Sequence, residues 1–305
     1  MKIIYAGTPQ YAVAPLKALH EKGCEIVAVI TQEDRPFGRR GVLTPPPVKQ
    51  YALSAGLPVY QFKKIRERVE ELRSLGADAM FTCAYGQLLS REVLGLFPLG
   101  VWNAHASLLP KHRGASPVQS AILAGESVTG VTIMKTELAL DAGDILLTKR
   151  CAICDGETCG ELSARLSSLS AEALCEAYDL IERGDTALLL QDESAATFCK
   201  KIKKEDAQVN FSAPAKEVCA LINAMSPSPA AFAHLKGAPV NFYRAYVSEG
   251  SGPCGTVIEV TKRGIKVACG TGAVLITEAQ FAGGKRLSAP DIFNGRKISA
   301  GDILE

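Results

Sequence analysis

Along the first half of the chain, short uninterrupted apolar runs alternate with longer stretches in which apolar residues return every third or fourth position. Residues 3–6, 26–31, 79–83 and 101–104 are runs of the first kind, the pattern of strands buried in a sheet. Between them Ala12, Leu16 and Leu19, and later Ile65, Val69 and Leu72, share one helical face. This alternation predicts βαβ units and an α/β fold on a mostly parallel sheet, doubly wound or close to it. Two further runs, 131–134 and 145–147, flank residues 138–144 and predict edge strands on the same sheet. Leu162, Leu166, Leu169, Ala173 and Ala177 hold one face through about four turns and predict a long helix that closes the first domain.

The pattern changes near residue 198. Lys200, Lys201, Lys203, Lys204, Glu205 and Asp206 make a charged stretch with little apolar content, as expected of an exposed linker. Beyond it a short helix is predicted over 215–224, then strands over 256–260, 265–269 and 274–278. Glycine-containing turns at 262–264 and 270–272 join these strands as a meander, which predicts a small β-barrel with a helix attached. The expected division is a first domain over 1–190, a linker over 191–206 and a second domain over 207–305.

Composition narrows the picture. At 305 residues, 47% hydrophobic and 22% charged, the chain is long enough for two full cores and carries no low-complexity tract. No apolar run approaches the ~20 residues that cross a bilayer, and Lys2-Ile3-Ile4-Tyr5-Ala6 carries no signal-peptide pattern, so a cytoplasmic protein is expected. The ten cysteines are scattered among apolar neighbours, as thiols in a reducing compartment are. Cys151 and Cys154 have the C-x-x-C spacing with Cys159 following, but no second pair completes a set of four ligands, and no metal is expected. A net charge of +2 does not by itself announce nucleic-acid binding.

Two places carry candidate chemistry. Ala6-Gly7-Thr8-Pro9 joins a strand to a helix, where dinucleotide folds hold a pyrophosphate. The three-glycine spacing is absent, however, and Pro9 removes a backbone donor, which favours an ordinary tight turn. The stretch 102–114 is different in kind, because a strand runs into a polar cluster at its carboxyl end, the edge where open α/β sheets place ligands. Asn103 and His105, two apart on a strand, point the same way. An amide donor can hydrogen-bond an oxygen gaining negative charge, and an imidazole can exchange a proton near neutral pH, which together suit acyl transfer. Asp141, in a glycine-containing turn between two apolar runs, is the candidate carboxylate to orient His105. On these residues alone, a satisfied core pair beside a turn-forming aspartate remains an alternative.

The motifs go further together. Asn103-x-His105-x-Ser107-Leu108-Leu109-Pro110-x-x-Arg113-Gly114, then Thr129-Gly130-Val131-Thr132 and Leu140-Asp141-x-Gly143-Asp144, resemble the signature of the formyltransferases that use 10-formyltetrahydrofolate. Ala6-Gly7-Thr8-Pro9, Asp34-Arg35-Pro36-x-Gly38-Arg39 with Pro47-Val48-Lys49, Ala84-Tyr85-Gly86, and Lys201-Ile202-x-Lys204-Glu205 are similar to the branch of that family acting on methionyl-tRNA. The resemblance spans essentially the whole chain. It implies a Rossmann-like catalytic domain and a C-terminal OB-like barrel that helps hold tRNA. It also implies 10-formyltetrahydrofolate as formyl donor, initiator methionyl-tRNA as partner and no metal. By motif position, Asn103, His105 and Asp141 match the catalytic trio. Ser107, Leu108, Leu109 and Pro110 match the folate-contacting turn, and Tyr85 and Gly86 fall beside the expected pterin pocket. Arg35, Gly38, Arg39 and Arg40 match an insertion that meets the tRNA acceptor stem, and arginines in a Gly- and Pro-punctuated loop suit phosphates.

From Ala207 onward ten Lys and Arg face seven Asp and Glu, a surplus of three, so RNA contacts in the second domain must be local. Where the family often has a tryptophan between two prolines, this chain has Pro227-Ser228-Pro229, and the aromatic contact of that loop is missing. Three alternatives remain. A folate-dependent formyltransferase acting on an amino-sugar nucleotide is disfavoured by the Arg-rich insertion. A nicotinamide-dependent oxidoreductase is disfavoured by the broken glycine fingerprint, and a noncatalytic RNA-binding protein by the intact Asn103, His105 and Asp141.

Overall fold

A computed structural model describes residues 1–38 and 41–305. The chain forms two compact units. One comprises Met1–Gly114, Gly130–Cys151 and Ser163–Phe198, and the other Ala115–Thr129, Ala152–Leu162 and Cys199–Glu305.

The first unit is organised by a sheet of seven strands among the described residues: β1 (Lys2–Gly7), β2 (Glu25–Thr31), β3 (Val59–Gln61), β4 (Ala79–Cys83), β5 (Val101–His105), β6 (Val128–Lys135) and β7 (Ile145–Ala152). Their order is β7-β6-β5-β4-β1-β2-β3. Strands β3, β2, β1, β4 and β5 are mutually parallel, and β6 runs antiparallel to β5. The central strands are apolar throughout, as strands covered on both faces must be: Ile3, Ile4, Tyr5 and Ala6 are fully buried, and so are Met80 and Phe81. Gly7 ends β1 without a side chain for a packing reason, because a Cβ there would lie 2.8 Å from that of Ala12 and 2.9 Å from the carbonyl oxygen of Cys83. The glycine belongs to a tight turn.

The helical periodicities resolve into helix Val13–Glu21, which buries Leu16 and Leu19, and helix Cys159–Glu182. The latter begins at a capping box: the backbone N–H of Thr158 donates to the Glu161 carboxylate at 3.0 Å, and the N–H of Glu161 to the Thr158 hydroxyl at 3.4 Å. Its Leu162, Leu166, Ala173 and Ala177 are buried. The face Ile65, Val69 and Leu72 is split between a 3₁₀ turn, Ile65–Glu67, and helix Val69–Ser74, because Arg68 (φ −122°, ψ 32°) leaves the helical region between them. No helix among the described residues is long and apolar enough to cross a membrane.

In the second unit β8 (Ala231–Leu235), β9 (Ala238–Ser248), β10 (Val257–Thr261), β11 (Gly264–Ala268) and β12 (Ala273–Phe281) form an antiparallel sheet in the order β8-β9-β12-β11-β10. The sequence meander is β10 to β12. Strands β8 and β9 are further strands, joined by Lys236 and Gly237 at φ +51° and +79°, the backbone of a tight hairpin. Lysine at the first of these positions hides the usual turn signal. Near the chain's end Leu304 bridges Leu235 of β8, and Ile303 bridges Thr256 ahead of β10, so the two edges of the sheet share one cover. This closes the barrel and removes edges that would otherwise template association. Its core includes Phe242, Ile265 and Ile276, against which helix Ala215–Ala224 lays Val218 and Ile222. Helix Pro117–Leu123 belongs to this unit and packs on helix Ala215–Ala224.

Candidate active site

Strands β4 and β5 end side by side, with Thr82 in register with Asn103. The Thr82 hydroxyl donates to Asn103 Oδ1 at 2.8 Å, which fixes the amide plane and turns Nδ2 out as a donor. Two residues on, His105 is 6% exposed. Its Nε2 lies 2.9 Å from the carbonyl oxygen of His112; a carbonyl only accepts, so the hydrogen is on Nε2. That leaves Nδ1 toward Asp141, 3.7 Å from Oδ2. The separation exceeds a hydrogen bond yet lies within ion-pair reach.

Asp141 is held by backbone geometry as much as by bonds. It adopts φ +49°, a left-handed conformation that aspartate tolerates better than most residues, and its Oδ2 accepts from the N–H of Gly114 at 2.8 Å. Two residues later the loop presses on β6: a Cβ at Gly143 would stand 1.8 Å from the carbonyl oxygen of Lys135, so only glycine fits. The backbone carbonyls of Asp141 and Gly143 are both taken by the buried amide of Gln191, at 2.9 and 2.7 Å.

The turn after β5 is pinned from β6. Buried Thr132 donates to the Ser107 carbonyl at 2.7 Å and accepts from the N–H of Leu109 at 3.1 Å. The Ser107 hydroxyl is spent inside the turn, on the Lys111 carbonyl at 2.6 Å. Leu109 packs with Met134 and Ile145, while Leu108 lies over Gly130, where any Cβ would come within 2.6 Å of it. The Pro110 carbonyl accepts from the N–H of Thr197 at 3.2 Å. Ser107, Leu108, Leu109 and Pro110 are thus held in a turn that begins two residues after His105.

Tyr85 and Gly86 lie just beyond β4, with the tyrosine turned inward. Its ring is 4% exposed and packed with Ile30, Phe62 and Val93, and burial pushes its hydroxyl well above the ordinary phenol range. The polar contacts of this loop come from its backbone. The Tyr85 carbonyl accepts from the Thr8 hydroxyl at 2.9 Å and from Gln32 Nε2 at 3.0 Å, and the Gly86 carbonyl accepts from the same Nε2 at 3.2 Å.

Gln32 also accepts from Arg35 Nη2 at 2.6 Å, which ties this loop to the hairpin Arg35–Phe37 and Val42–Thr44. The hairpin is anchored at its root, where Lys49 Nζ donates to both oxygens of Asp34, at 2.8 and 2.9 Å, and to Gln61 Oε1 at 2.7 Å. The Lys49 hydrogen bond holds the Asp34 carboxyl below its ordinary range, with Gln61 assisting. Arg35 and Gly38 are exposed on this hairpin, while Arg39 and Arg40 lie outside the described residues.

Three residues around the trio were invisible to motif reading as participants: Thr82, Thr132 and Gln191. Thr82 had a detectable signal, a polar residue near the end of an apolar strand next to the one carrying Asn103. Thr132 closes the Thr129-Gly130-Val131-Thr132 motif, whose pattern does not reveal that its hydroxyl pins the turn after β5. Gln191 had no local signal, since its partners lie 48, 50 and 78 residues away.

Comparison with known proteins gives a consistent picture. Residues 1–178 match the family model described as formyl transferase, and residues 201–297 match that of the formyl transferase C-terminal domain. Over 299 residues the chain is 43% identical to methionyl-tRNA formyltransferase of Stutzerimonas stutzeri, covering 97% of this chain and 95% of the relative. Among solved structures, the N-formyltransferase of Helicobacter canadensis, in complex with folinic acid and dTDP-3-aminofucose, superposes with a TM-score of 0.70 at 17% identity, over 92% of this chain and 99% of that one. HypX of Aquifex aeolicus in complex with tetrahydrofolic acid gives 0.67 at 18% identity, over 95% of this chain and 46% of that longer one. Both structures share the fold.

Proposed function

The chain belongs to the formyl transferase family, and from that membership we propose that it moves the formyl group of 10-formyltetrahydrofolate onto the α-amino group of initiator methionyl-tRNA. The observation that carries this reading is that Asn103 and His105 stand on one face at the carboxyl end of β5 and that Asp141 comes to His105 there, with Nδ1 and Oδ2 3.7 Å apart. The acceptor is the one named for the full-length relative.

Acyl transfer to an amine makes three demands: charge on the carbonyl oxygen must be stabilised, the attacking nitrogen must lose a proton and the departing nitrogen must gain one. Asn103, with Oδ1 satisfied by Thr82, offers Nδ2 to the oxygen. His105 has Nε2 committed to the His112 carbonyl, so the proton it exchanges is at Nδ1, on the side of Asp141 Oδ2. Protonated there, the ring adds positive charge beside the oxygen, and the Asp141 carboxylate compensates it. The folate supplies a formyl carbon on N10; the acceptor nitrogen adds to it first, placing the charge on the oxygen, and the bond to N10 breaks afterwards as that nitrogen takes up a proton.

Ser107, Leu108, Leu109 and Pro110, with the loop at Tyr85 and Gly86, are assigned to the folate. Arg35, Gly38, Arg39 and Arg40 are assigned to the tRNA acceptor stem. The catalytic role is assigned to the domain expected over 1–190 and tRNA binding to that over 207–305, in a cytoplasmic enzyme. Of the linker expected over 191–206, the residues up to Phe198 group with the first unit, and Ala115–Thr129 and Ala152–Leu162 group with the second. The test is single-turnover formylation of charged initiator methionyl-tRNA, run beside uncharged tRNA and an amino-sugar nucleotide. Formyl transfer to the charged tRNA alone is expected; transfer to the sugar nucleotide instead would overturn the acceptor, and transfer to neither would overturn the activity.

A further inference from the structure

Asp141 lies in an irregular loop, so its distance from His105 is set by what holds that loop from outside. Gln191, 5% exposed, uses its side-chain amide at both ends. Nε2 donates to the carbonyls of Asp141 and Gly143, at 2.9 and 2.7 Å, and Oε1 accepts from Nε and Nη2 of Arg113, at 3.1 and 2.8 Å. Arg113 is itself 2% exposed and is fixed by two further bonds to the Glu193 carboxylate, at 2.9 and 2.7 Å. The next residue, Gly114, donates its N–H to Asp141 Oδ2 at 2.8 Å. The result is a closed ring: the Asp141 backbone to Gln191, Gln191 to Arg113, Arg113 through one peptide to Gly114, and Gly114 back to the Asp141 carboxylate.

The ring needs an amide at position 191. One planar group must donate to two carbonyls on one side and accept from a guanidinium on the other, which a carboxylate or a thioether cannot do. We propose that Gln191 is a positioning residue of the formyl-transfer site, holding Asp141 at its place against His105. The proposal rests on the catalytic role given to Asp141 under the proposed function. Gln191, buried and bonded at both ends of its amide, acts through Asp141.

Two substitutions of the full chain separate the halves of the ring. Gln191→Glu keeps a partner for Arg113 and sets a carboxylate against the two carbonyls, whereas Gln191→Met removes both halves at similar size. The first readout is amide hydrogen exchange at Gly114 without substrates, with Tyr5 and Phe81 in the central sheet as internal references. Exchange at Gly114 is expected to quicken by about 10-fold or more in both variants while the references stay unchanged, since breaking the ring opens the loop locally. The second is steady-state formylation. A drop in kcat of about 10²-fold is expected, with KM for donor and acceptor within about 3-fold of the parent, because displacing a catalytic group by about 1 Å costs that much. A purely structural role would lower stability and leave kcat of the folded fraction alone.

Unchanged Gly114 exchange in Gln191→Glu overturns the ring. Quickened exchange with an undiminished kcat overturns the positioning role. A parent chain that formylates nothing, with exchange behaving as expected, overturns the functional reading and leaves the ring standing.

Discussion

The carboxyl end of β5 and the hairpin Arg35–Phe37 with Val42–Thr44 are each proposed to meet a substrate, and they are built on opposite plans. Around β5 the polar groups are buried and already bonded: His105 is 6% exposed, Ser107 fully buried and Arg113 2% exposed, with Thr82, Thr132 and Gln191 fixing the groups beside them. On the hairpin Val42 and Leu43 are 61% and 64% exposed, and the bonds that tie it to the sheet gather at its root, at Asp34, Lys49, Gln61 and Gln32. Chemistry at one carbonyl demands donors fixed before the substrate arrives, because reorganisation during the reaction would cost rate. Grip on a large polyanion tolerates a protruding element, since phosphate contacts position a partner without demanding one geometry.

That contrast can be broken by substitution. The largest effect is expected from His105→Ala and Asp141→Asn, each lowering kcat by about 10²- to 10⁴-fold. Asparagine is the cleaner change at 141, since it accepts φ +49° and removes only the charge, whereas alanine would add backbone strain. Turnover and thermal unfolding measured side by side would check this, and a variant retaining parental kcat would remove its residue from the catalytic set. Next in size is Thr82→Val, which preserves shape and deletes the hydroxyl on Asn103. A loss of one hydrogen bond to a critical donor is expected to lower kcat by about 10-fold, at a stability cost of about 1 kcal/mol read from denaturant unfolding. If kcat were unaffected, the Asn103 amide would not need orienting.

Arg35→Ala tests the opposite plan. The expected result is a several-fold rise in acceptor KM with kcat nearly unchanged, and a dependence of binding on salt reduced by about one unit of log–log slope if Arg35 meets a phosphate. A fall in kcat at constant KM would put the hairpin with the chemistry instead. The smallest effect belongs to the hairpin root. The Asp34 carboxyl is held below its ordinary range chiefly by Lys49, so its contribution is complete above that range and is lost as pH falls through the lowered value. In Lys49→Met the carboxyl resonance of Asp34 should titrate higher, with formylation at neutral pH changed by no more than about 2-fold, as expected of an ion pair near the surface. An unmoved Asp34 titration would show that Lys49 is not its principal partner.

Much of the geometry at the candidate catalytic side was legible in sequence because it is local. A strand fixes the side on which Asn103 and His105 emerge, and a glycine turn between two apolar runs marks Asp141. The ring around Asp141 was not legible, because Gln191 reaches its partners across 48, 50 and 78 residues of sequence and follows three leucines that give no hint of an amide's role. The direction of the Tyr85 ring was hidden for another reason. Ala84, at φ +47°, breaks the alternation after β4, so period two no longer tells which side the next residue takes. Nor does composition mark Ala115–Thr129 and Ala152–Leu162 as companions of the C-terminal unit, since grouping of that kind depends on packing alone. In the barrel, the hairpin of β8 and β9 escaped because Lys236 occupies a left-handed position usually given to asparagine or glycine.

The left-handed backbone at Asp141 bears on how the position can drift. Of the residues one nucleotide change away from an aspartate codon, asparagine, glycine and histidine take φ +49° most readily, as His112 does at φ +57°, while alanine, glutamate and tyrosine take it at a cost and β-branched valine at the greatest. A randomised pool sorted for soluble, folded chains would thus be enriched in Asp, Asn, Gly and His at 141, and the same pool sorted for growth dependent on turnover would keep Asp alone. Two filters acting on one position for unrelated reasons leave almost no neutral path through it, and an aspartate here tells little about which filter preserved it.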